Sequence, residues 1–245
     1  MSQPIDRNIA LIFAGGTGSR MGSANLPKQF LMLGGKSIIA HTIDHFEHHE
    51  LIDKVVVVCI DGWIEYLDKI ISDNHFKKII AVVKGGTTGQ ESIYNGLKAI
   101  EENCAINQTS VVLIHDGVRP LIDKETITNC INSVRMYGCT ATVAPAVETI
   151  IEEKQGKVTR VVDRSCCKLA RAPQGFFFEE IFEAHKKSIA DEKLNFTDSI
   201  SLMSHYGYDI YTIEGPSNNI KITTRQDYFA FKGYMDYEEM SQFWK

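Results

Sequence analysis

Three short segments of this sequence combine glycine with basic or acidic residues in patterns suited to binding phosphate groups. The first is Ala14-Gly15-Gly16-Thr17-Gly18-Ser19-Arg20-Met21-Gly22, which follows an apolar run and precedes Pro27 and Lys28. Glycines directly after a strand let backbone N–H groups approach phosphate oxygens without obstruction by side chains. With the cations Arg20 and Lys28 close by, the segment predicts a phosphate-binding loop.

Two common nucleotide-binding motifs do not fit this loop. A dinucleotide fingerprint needs a third glycine where Met21 stands. A Walker loop needs a glycine five residues before Gly35-Lys36-Ser37, and Phe30 occupies that position. The mismatches argue against an NAD-dependent oxidoreductase and against a P-loop enzyme.

The second segment, Lys84-Gly85-Gly86-Thr87-Thr88-Gly89, runs into Gln90-Glu91-Ser92. It lies at a predicted strand end beside the first loop, so it is placed to approach a nucleotide as well. A flexible turn that caps the next helix explains the same residues, and the sequence leaves both interpretations open.

The third segment, Ile114-His115-Asp116-Gly117-Val118-Arg119-Pro120, places an acid at the end of a buried strand. A divalent cation that bridges phosphates needs such a carboxylate. Arg119 is suited to a second anionic group. The alternative is a structural Asp116 that caps the following turn.

Strand and helix patterns alternate through the first half of the chain. This order predicts an α/β fold with a parallel sheet between two layers of helices, and ligands outside the carboxyl ends of the strands. The predicted strands are Asn8–Ala14, Lys54–Ile60, Lys78–Val83 and Ser110–Ile114. The predicted helices are Ser37–His48, Trp63–Ser72, Glu91–Glu102 and Asp123–Met136.

The alternation breaks between Thr140 and Ala172. Thr149–Glu153 and Lys157–Val162 predict an antiparallel hairpin joined at Lys154-Gln155-Gly156. Because a two-stranded hairpin is marginal alone, we expect this arm to pack on something, such as a second subunit. The pattern then resumes with helices Phe177–Ser188 and Asp198–Tyr206, strands Tyr208–Ile213 and Ile220–Thr223, and a closing helix from Arg225. No linker divides the chain, so residues 1–245 are expected to form a single domain, with the arm inside 140–172.

Composition narrows the class of protein. With 26 basic and 31 acidic residues the net charge is −5, which argues against a nucleic-acid or anionic-membrane partner. No apolar run approaches the roughly 18–20 residues that cross a bilayer, and the N-terminus lacks a signal-peptide pattern. The six cysteines show no Cys-x-x-Cys spacing, so reduced thiols are expected rather than zinc ligands. These features predict a cytoplasmic protein.

Taken in order, the motifs resemble the signature of CTP-dependent cytidylyltransferases that act on 2-C-methyl-D-erythritol 4-phosphate or ribitol 5-phosphate. The resemblance runs from about residue 8 to 230 and rests on the first loop with Pro27-Lys28-Gln29 and on a set of shorter matches. These are His41-Thr42, Gly85-Gly86, His115-Asp116, Arg119-Pro120, Asp163-Arg164, Pro173-Gln174, Thr197-Asp198 and Asn219-Ile220-Lys221-Ile222-Thr223. It implies a Rossmann-like nucleotidyltransferase domain with a mostly parallel central sheet and a protruding β-hairpin arm. It also implies Mg²⁺, a homodimer, and transfer of CMP from CTP to a short polyol phosphate.

The resemblance assigns roles to individual residues. Residues implied to bind the nucleotide are Ala14, Gly15, Gly16, Thr17, Gly18, Gly86, Ser92 and Asp116. Residues implied to act on the reacting phosphates are Arg20, Lys28 and Lys221, and Asp116 is the implied Mg²⁺ ligand. Residues implied on the acceptor side are Arg119, Thr197 and, from the hairpin of a second subunit, Thr149 and Arg164.

The sequence departs from the family pattern in three places. Gly89 stands where an arginine is usual, Ala172 replaces a threonine, and Gly117-Val118 replaces a pair of alanines. The last two bear on the acceptor, which the sequence leaves open between ribitol 5-phosphate and 2-C-methyl-D-erythritol 4-phosphate. A nucleotidyltransferase for another nucleotide or sugar phosphate, and a non-catalytic nucleotide-binding homologue, are the competing interpretations.

Overall fold

The computed structural model describes residues 6–15 and 26–241. In chain order the strands and helices of this part are β1 (Asn8–Ala14), β2 (Met32–Leu33), β3 (Lys36–Ser37), α1 (Ile38–Glu47), β4 (Lys54–Cys59), α2 (Ile64–Asp73), β5 (Ile79–Lys84), α3 (Gly89–Asn103), β6 (Val111–Asp116), α4 (Lys124–Tyr137), β7 (Cys139–Pro145), β8 (Ile151–Lys154), β9 (Lys157–Val161), β10 (Lys168–Phe177), α5 (Phe178–Ala190), α6 (Ser199–His205), β11 (Ile210–Glu214) and α7 (Arg225–Ser241).

Seven strands form the central sheet, in the order β11-β7-β10-β6-β1-β4-β5. Neighbouring strands pair in parallel, except that β10 runs antiparallel to both β6 and β7. The predicted α/β fold with a mostly parallel sheet is therefore confirmed. Strand β4 is an inner strand, and its continuous apolar run from Val55 to Cys59 is expected where helices cover both faces of a sheet.

Alternate residues of each inner strand enter two separate hydrophobic clusters. In β1, Ile12 packs in one cluster with Phe46 of α1, and Leu11 packs in the other with Leu97 of α3. Full burial of each such side chain stabilises the fold by about 1.5–3 kcal/mol. Helix α3 lies close to the sheet at Gly96, where an added Cβ would come within 2.3 Å of Leu11 Cδ1. Glycine at position 96 therefore lets the middle of α3 pack closely on β1.

Helices α1, α3 and α4 each begin at a side chain that accepts a hydrogen bond from the first turn. Ser37, Thr88 and Asp123 accept from the backbone N–H of Ala40, Glu91 and Thr126 respectively. The predicted N-cap Asp123 is confirmed. Within the described residues, the structure contains no helix that is both long and apolar enough to span a membrane; a cytoplasmic location stays a prediction.

The hairpin forms at the predicted turn, but the sequence prediction around it was incomplete. Strands β8 and β9 pair antiparallel, and all their residues are exposed. The hairpin connects β7 and β10, two sheet strands that were not predicted from the sequence. Strand β10 was missed because Ala172, Pro173 and Gly175 disfavour strands, and its register shifts between Ala170 and Gln174.

The predicted strand Ile220–Thr223 is wrong. These residues form an irregular segment attached to the third motif by a hydrogen bond from Ile222 N to Val118 O of 2.9 Å. Ile222 is buried in a small cluster with Val118 and Phe231 of α7. Its apolar neighbours explain the strand-like pattern, but the segment does not join the central sheet.

Candidate active site

The two glycine segments touch each other at the carboxyl edge of the sheet. An added Cβ on Gly15 would lie 2.9 Å from Ser92 Oγ, and one on Gly85 would lie 3.3 Å from Gly15 Cα. These short distances favour glycine at both positions, where the segments that follow β1 and β5 meet beyond the end of β4. Backbone atoms of both segments are thereby left open to a ligand.

Ser92 holds the second segment in place. Its hydroxyl donates to Thr88 O at 2.8 Å and accepts from Gly86 N at 3.0 Å. The segment also caps α3 through Thr88. The helix-capping interpretation is therefore confirmed. The same segment lines a cavity, and its approach to a nucleotide stays a prediction.

A large cavity of about 810 Å³ lies between these segments and the third motif. The predicted residues that line it are Ala14, Gly15, Lys28, Gly86, Ser92, Asp116 and Lys221. Lys28 is 8% exposed, and its Nζ donates to Ile222 O at 2.9 Å. The predicted residues Gly16, Thr17, Gly18 and Arg20 lie outside the described residues.

Gln29 connects the first segment to the short helical turn that carries Lys28. Its Nε2 donates to Ala14 O at 2.9 Å, and the side chain is 1% exposed. Gln29 belongs to the Pro-Lys-Gln motif, but its residue type and position did not indicate this role. The bond holds Lys28 against the end of β1, on the wall of the large cavity.

Asp116 is the centre of a group of charges in which Asp116 and Arg119 are buried and Lys221 is partly exposed. Its Oδ1 accepts from Lys221 Nζ at 2.5 Å, and its Oδ2 accepts from Arg119 Nε at 2.8 Å. Burial alone would raise the pKa of Asp116, but the charges and hydrogen bonds of Lys221 and Arg119 outweigh it and lower the pKa to about 2. The carboxylate is therefore ionised throughout the neutral range.

Asn219 stabilises this group through hydrogen bonds to two neighbouring segments. Arg119 Nη1 donates to Asn219 O at 2.9 Å, and Asn219 Nδ2 donates to Ala172 O at 2.8 Å. Asn219 is fully buried and links the third motif, the Lys221 segment and β10. It stood in a quoted motif, but nothing in the sequence indicated that it connects these elements.

A small cavity of about 300 Å³ adjoins the large one. Its walls include the predicted Arg119 and Thr197, and also Arg171, Gln174, His185 and Ser199, to which the sequence analysis gave no role. Phe13, Gly89, Asp116 and Lys221 line both cavities. The Asp116–Lys221 ion pair therefore lies where the two cavities meet.

The two buried histidines near the site are neutral. His115 Nε2 lies 3.1 Å from Arg119 O, and since a carbonyl only accepts, this nitrogen carries the proton. Burial lowers the pKa of both His115 and His185 to about 4. His115 lines neither cavity, and its hydrogen bond holds the turn that carries Arg119.

The hairpin residues predicted on the acceptor side are not brought to either cavity of their own chain. Thr149 is exposed, and Arg164 Nη1 donates to Val147 O at 2.6 Å on the surface of the arm. This placement leaves the prediction that they act in a second subunit untested. Among the described residues no group of three or more His, Cys, Asp or Glu side chains could hold a metal ion, so Asp116 stands alone as a candidate ligand.

Comparisons with known proteins agree with this architecture. The family model IspD, 2-C-methyl-D-erythritol 4-phosphate cytidylyltransferase, matches residues 8–236. A ribitol-5-phosphate cytidylyltransferase of Vibrio parahaemolyticus is 46% identical over 236 residues, covering 96% of this chain and 98% of that protein. A 2-C-methyl-D-erythritol 4-phosphate cytidylyltransferase of Clostridium tetani is 37% identical, covering 91% and 88%.

Solved structures give the same result. The 4-diphosphocytidyl-2C-methyl-D-erythritol synthase of Anaerococcus prevotii superimposes with a TM-score of 0.80 at 27% identity, covering 94% of this chain and 96% of that one. The family model spans nearly the whole chain, and the relatives match over nearly their full length. The chain belongs to the 2-C-methyl-D-erythritol 4-phosphate cytidylyltransferase family.

Proposed function

We propose that this protein transfers CMP from CTP to ribitol 5-phosphate, with release of pyrophosphate and formation of CDP-ribitol. The observation that carries the proposal is the pair of adjoining cavities that meet at Asp116 and Lys221. One cavity is large enough for a nucleoside triphosphate, and the other suits a short phosphorylated polyol. CTP-dependent transfer to a polyol phosphate is also the activity named for its relatives.

Ribitol 5-phosphate is chosen because the relatives of 44–46% identity carry its name, while a further ribitol-5-phosphate cytidylyltransferase, of Lacticaseibacillus paracasei, is 34% identical. Ribitol-5-phosphate cytidylyltransferases from Vibrio and Streptococcus are 44–46% identical to this chain. The 2-C-methyl-D-erythritol 4-phosphate enzymes of Clostridium are 36–37% identical. The second acceptor stays in the test because the family model carries its name and because Val162-Asp163-Arg164 resembles the methylerythritol type.

In the proposed reaction an oxygen of the acceptor phosphate attacks the α-phosphorus of CTP. A new P–O bond forms, the bond from the α-phosphorus to the bridging oxygen breaks, and pyrophosphate leaves with the electron pair. A phosphomonoester has a second pKa of about 6, so at neutral pH the attacking group is already largely dianionic. The step needs no general base, and the protein contributes positioning and neutralisation of charge.

Lys28 and Lys221 are the described cations placed for that neutralisation. Lys28 is almost buried in the wall of the large cavity, so its charge acts on phosphate oxygens with little screening by water. Lys221 lies at the junction, held by Asp116, where the α-phosphorus and the attacking oxygen must meet. Arg20 is proposed to join them on the triphosphate, as the family pattern implies.

Mg²⁺ is proposed to bind together with CTP. Asp116 fits such an ion because it is ionised, and protein-bound Mg²⁺ commonly takes one or two carboxylates plus substrate phosphate oxygens. When bound, the ion supplies positive charge to the phosphates. In the present geometry both Asp116 oxygens are occupied by Lys221 and Arg119, which keep the carboxylate oriented towards the junction.

A homodimer is proposed from the hairpin. Ile151, Val158 and Val161 are exposed apolar side chains on β8 and β9, between 50% and 64% accessible. Thr149 and Arg164 lie on the same arm and do not reach the cavities of their own chain. An arm packed on a second subunit would cover the apolar side chains and bring these two residues to the partner's acceptor.

The proposal is tested by incubating the protein with CTP and Mg²⁺ and with ribitol 5-phosphate, 2-C-methyl-D-erythritol 4-phosphate or no acceptor. The product is identified by mass, and pyrophosphate is measured in parallel with UTP, GTP and ATP in place of CTP. We expect CDP-ribitol from CTP and ribitol 5-phosphate. A product from the methylerythritol phosphate alone overturns the proposed acceptor. CTP binding without any pyrophosphate would instead indicate a non-catalytic homologue.

A further inference from the structure

Arg171 is a charged side chain on the wall of the small cavity and has no counter-ion among the described residues. It lies in β10 and is partly buried. Its Nε is fully buried, and within the described residues its guanidinium makes no hydrogen bond and no ion pair. Partial removal of an unpaired charge from water is costly, so its surroundings in the free protein oppose the charge. Burial, and then the nearby charge of Arg119, lower the pKa of Arg171.

The carboxylates around the small cavity are already engaged by other groups. Asp116 accepts from Lys221 and Arg119. Asp198 accepts from Ser201 N at 2.9 Å and from Gln174 Nε2 at 3.2 Å. Three cations, Arg119, Arg171 and Lys221, thus face two carboxylates along the wall of this cavity. The excess positive charge lies at Arg171, and an anionic ligand would balance it.

We propose that Arg171 binds the phosphate group of the acceptor and thereby selects a phosphorylated polyol. The guanidinium carries paired N–H donors in a plane, which match two phosphate oxygens at once. Arg171 lines the small cavity and not the large one, so the triphosphate is not its expected ligand. The acceptor phosphate must lie at the junction with the large cavity, where Arg119 and Lys221 also face it.

This inference rests on the proposed function, because it takes the occupant of the small cavity to be the acceptor. It adds a residue that neither the motifs nor the charge pattern of the sequence indicated. Arg171 touches substrate in this account and shares the binding of the attacking phosphate. Its loss should therefore be seen mainly in the KM for the acceptor.

The test compares Arg171→Gln and Arg171→Lys with the wild-type protein in steady-state assays with CTP and ribitol 5-phosphate. Hydrogen bonds to charged groups contribute about 1.5–3 kcal/mol, so Arg171→Gln should raise the acceptor KM roughly 10- to 150-fold. Arg171→Lys keeps the charge but not the paired donors, so its acceptor KM should lie between those of the wild type and Arg171→Gln. The KM for CTP should stay within about threefold. Lys168→Gln is the matched control, because Lys168 is in the same strand but pairs with Glu214 at 2.9 Å on the surface.

Calorimetric titration with ribitol 5-phosphate and with ribitol separates this inference from the proposed function. Tighter binding of the phosphate ester by wild type than by Arg171→Gln, without turnover, would leave the inference standing and the function refuted. Normal turnover with an unchanged acceptor KM in Arg171→Gln would overturn the inference and leave the function intact. An increase confined to the KM for CTP also overturns it. Since Arg171 has no partner among the described residues, both variants are expected to unfold at the wild-type temperature or slightly above. If Arg171→Gln does not fold, the acceptor KM of Arg171→Lys tests the inference instead.

Discussion

Replacement of Gly15 by alanine should weaken CTP binding by disturbing the contact between the two glycine segments. The new Cβ would lie 2.9 Å from Ser92 Oγ, closer than such atoms approach in proteins, so one of them must move. The Ser92 side chain is small enough to rotate away, but its hydroxyl is held by hydrogen bonds to Thr88 O and from Gly86 N. Moving it breaks both hydrogen bonds and releases the backbone of Gly86, which lines the large cavity.

The magnitude follows from those two bonds. Each contributes about 0.5–1.5 kcal/mol, so the loss is about 1–3 kcal/mol, similar to the cost of overpacking a core. Since about 1.4 kcal/mol corresponds to a factor of ten, the KM for CTP should rise roughly 5- to 150-fold. The acceptor KM should change much less, because Gly15 does not line the small cavity.

A double-mutant cycle makes this prediction specific. In Ser92→Ala the hydroxyl is absent, and the remaining Cβ of residue 92 would lie 3.6 Å from the new Cβ at position 15, an ordinary contact. Gly15→Ala should therefore add little in a Ser92→Ala background. Steady-state pyrophosphate release with varied CTP gives the KM, and urea unfolding gives the stability of each variant. Gly233→Ala in α7 is the control, since a Cβ there meets nothing within 4 Å.

Two results would refute this reasoning. One is an unchanged KM for CTP in Gly15→Ala, which would mean that the contact between the segments does not shape the nucleotide site. The other is full additivity of the two substitutions, which would mean that Ser92 is not the group displaced.

Four further predictions follow from the same structure. Lys28→Ala should lower kcat on the order of 10²–10³-fold, as loss of one transition-state donor does, whereas Lys36→Ala, outside both cavities, should retain wild-type turnover. The kcat/KM for the acceptor should fall tenfold per pH unit below about pH 6, where the phosphomonoester takes up a proton, and should be constant above it. A second inflection in this pH profile would indicate a general base on the enzyme and would contradict the prediction. Burial lowers the pKa of His185 to about 4 in the folded protein. As pH falls, this histidine is therefore protonated in the unfolded chain before it is protonated in the folded protein, and stability is lost from about pH 6.5 towards pH 4. His185→Phe should reduce the loss in unfolding free energy between pH 7.5 and pH 5 by about 2 kcal/mol, measured in urea; an equal loss in both proteins contradicts this. Val161→Lys should shift the mass seen by light scattering at micromolar concentration from dimer to monomer, and a wild-type monomer would contradict the dimer itself.

The parts of the fold predicted from sequence are those with local causes. Lys54–Cys59 is a β-branched run without alternation, which a doubly covered parallel sheet requires, and Asp123 begins its helix through its own side chain. Strand β10 has no such local cause. Its central residues disfavour strands, and it exists because β6 and β7 offer hydrogen-bonding partners on both sides. The prediction around Ile222 is wrong for the opposite reason. The apolar residues there suggest a strand, but Ile222 is instead buried in a small cluster outside the sheet.

The features of the site that could be predicted from the sequence are likewise those with a local cause. Glycine segments and an aspartate at strand ends are visible in the sequence because parallel topology brings such ends together. The ion pair between Asp116 and Lys221 joins residues 105 positions apart, so their spacing in the chain does not predict it. Arg171 gave no signal at all, because what distinguishes it is the absence of a partner for its charge among the described residues.

A crystal structure of the protein with CTP and Mg²⁺ tests the central claim most directly. The account predicts the triphosphate in the large cavity between Gly15 and Gly86, its α-phosphorus beside Lys28 and Lys221, and the metal ion on Asp116. Nucleotide bound away from these residues, or a large cavity without nucleotide at saturating CTP, would contradict it.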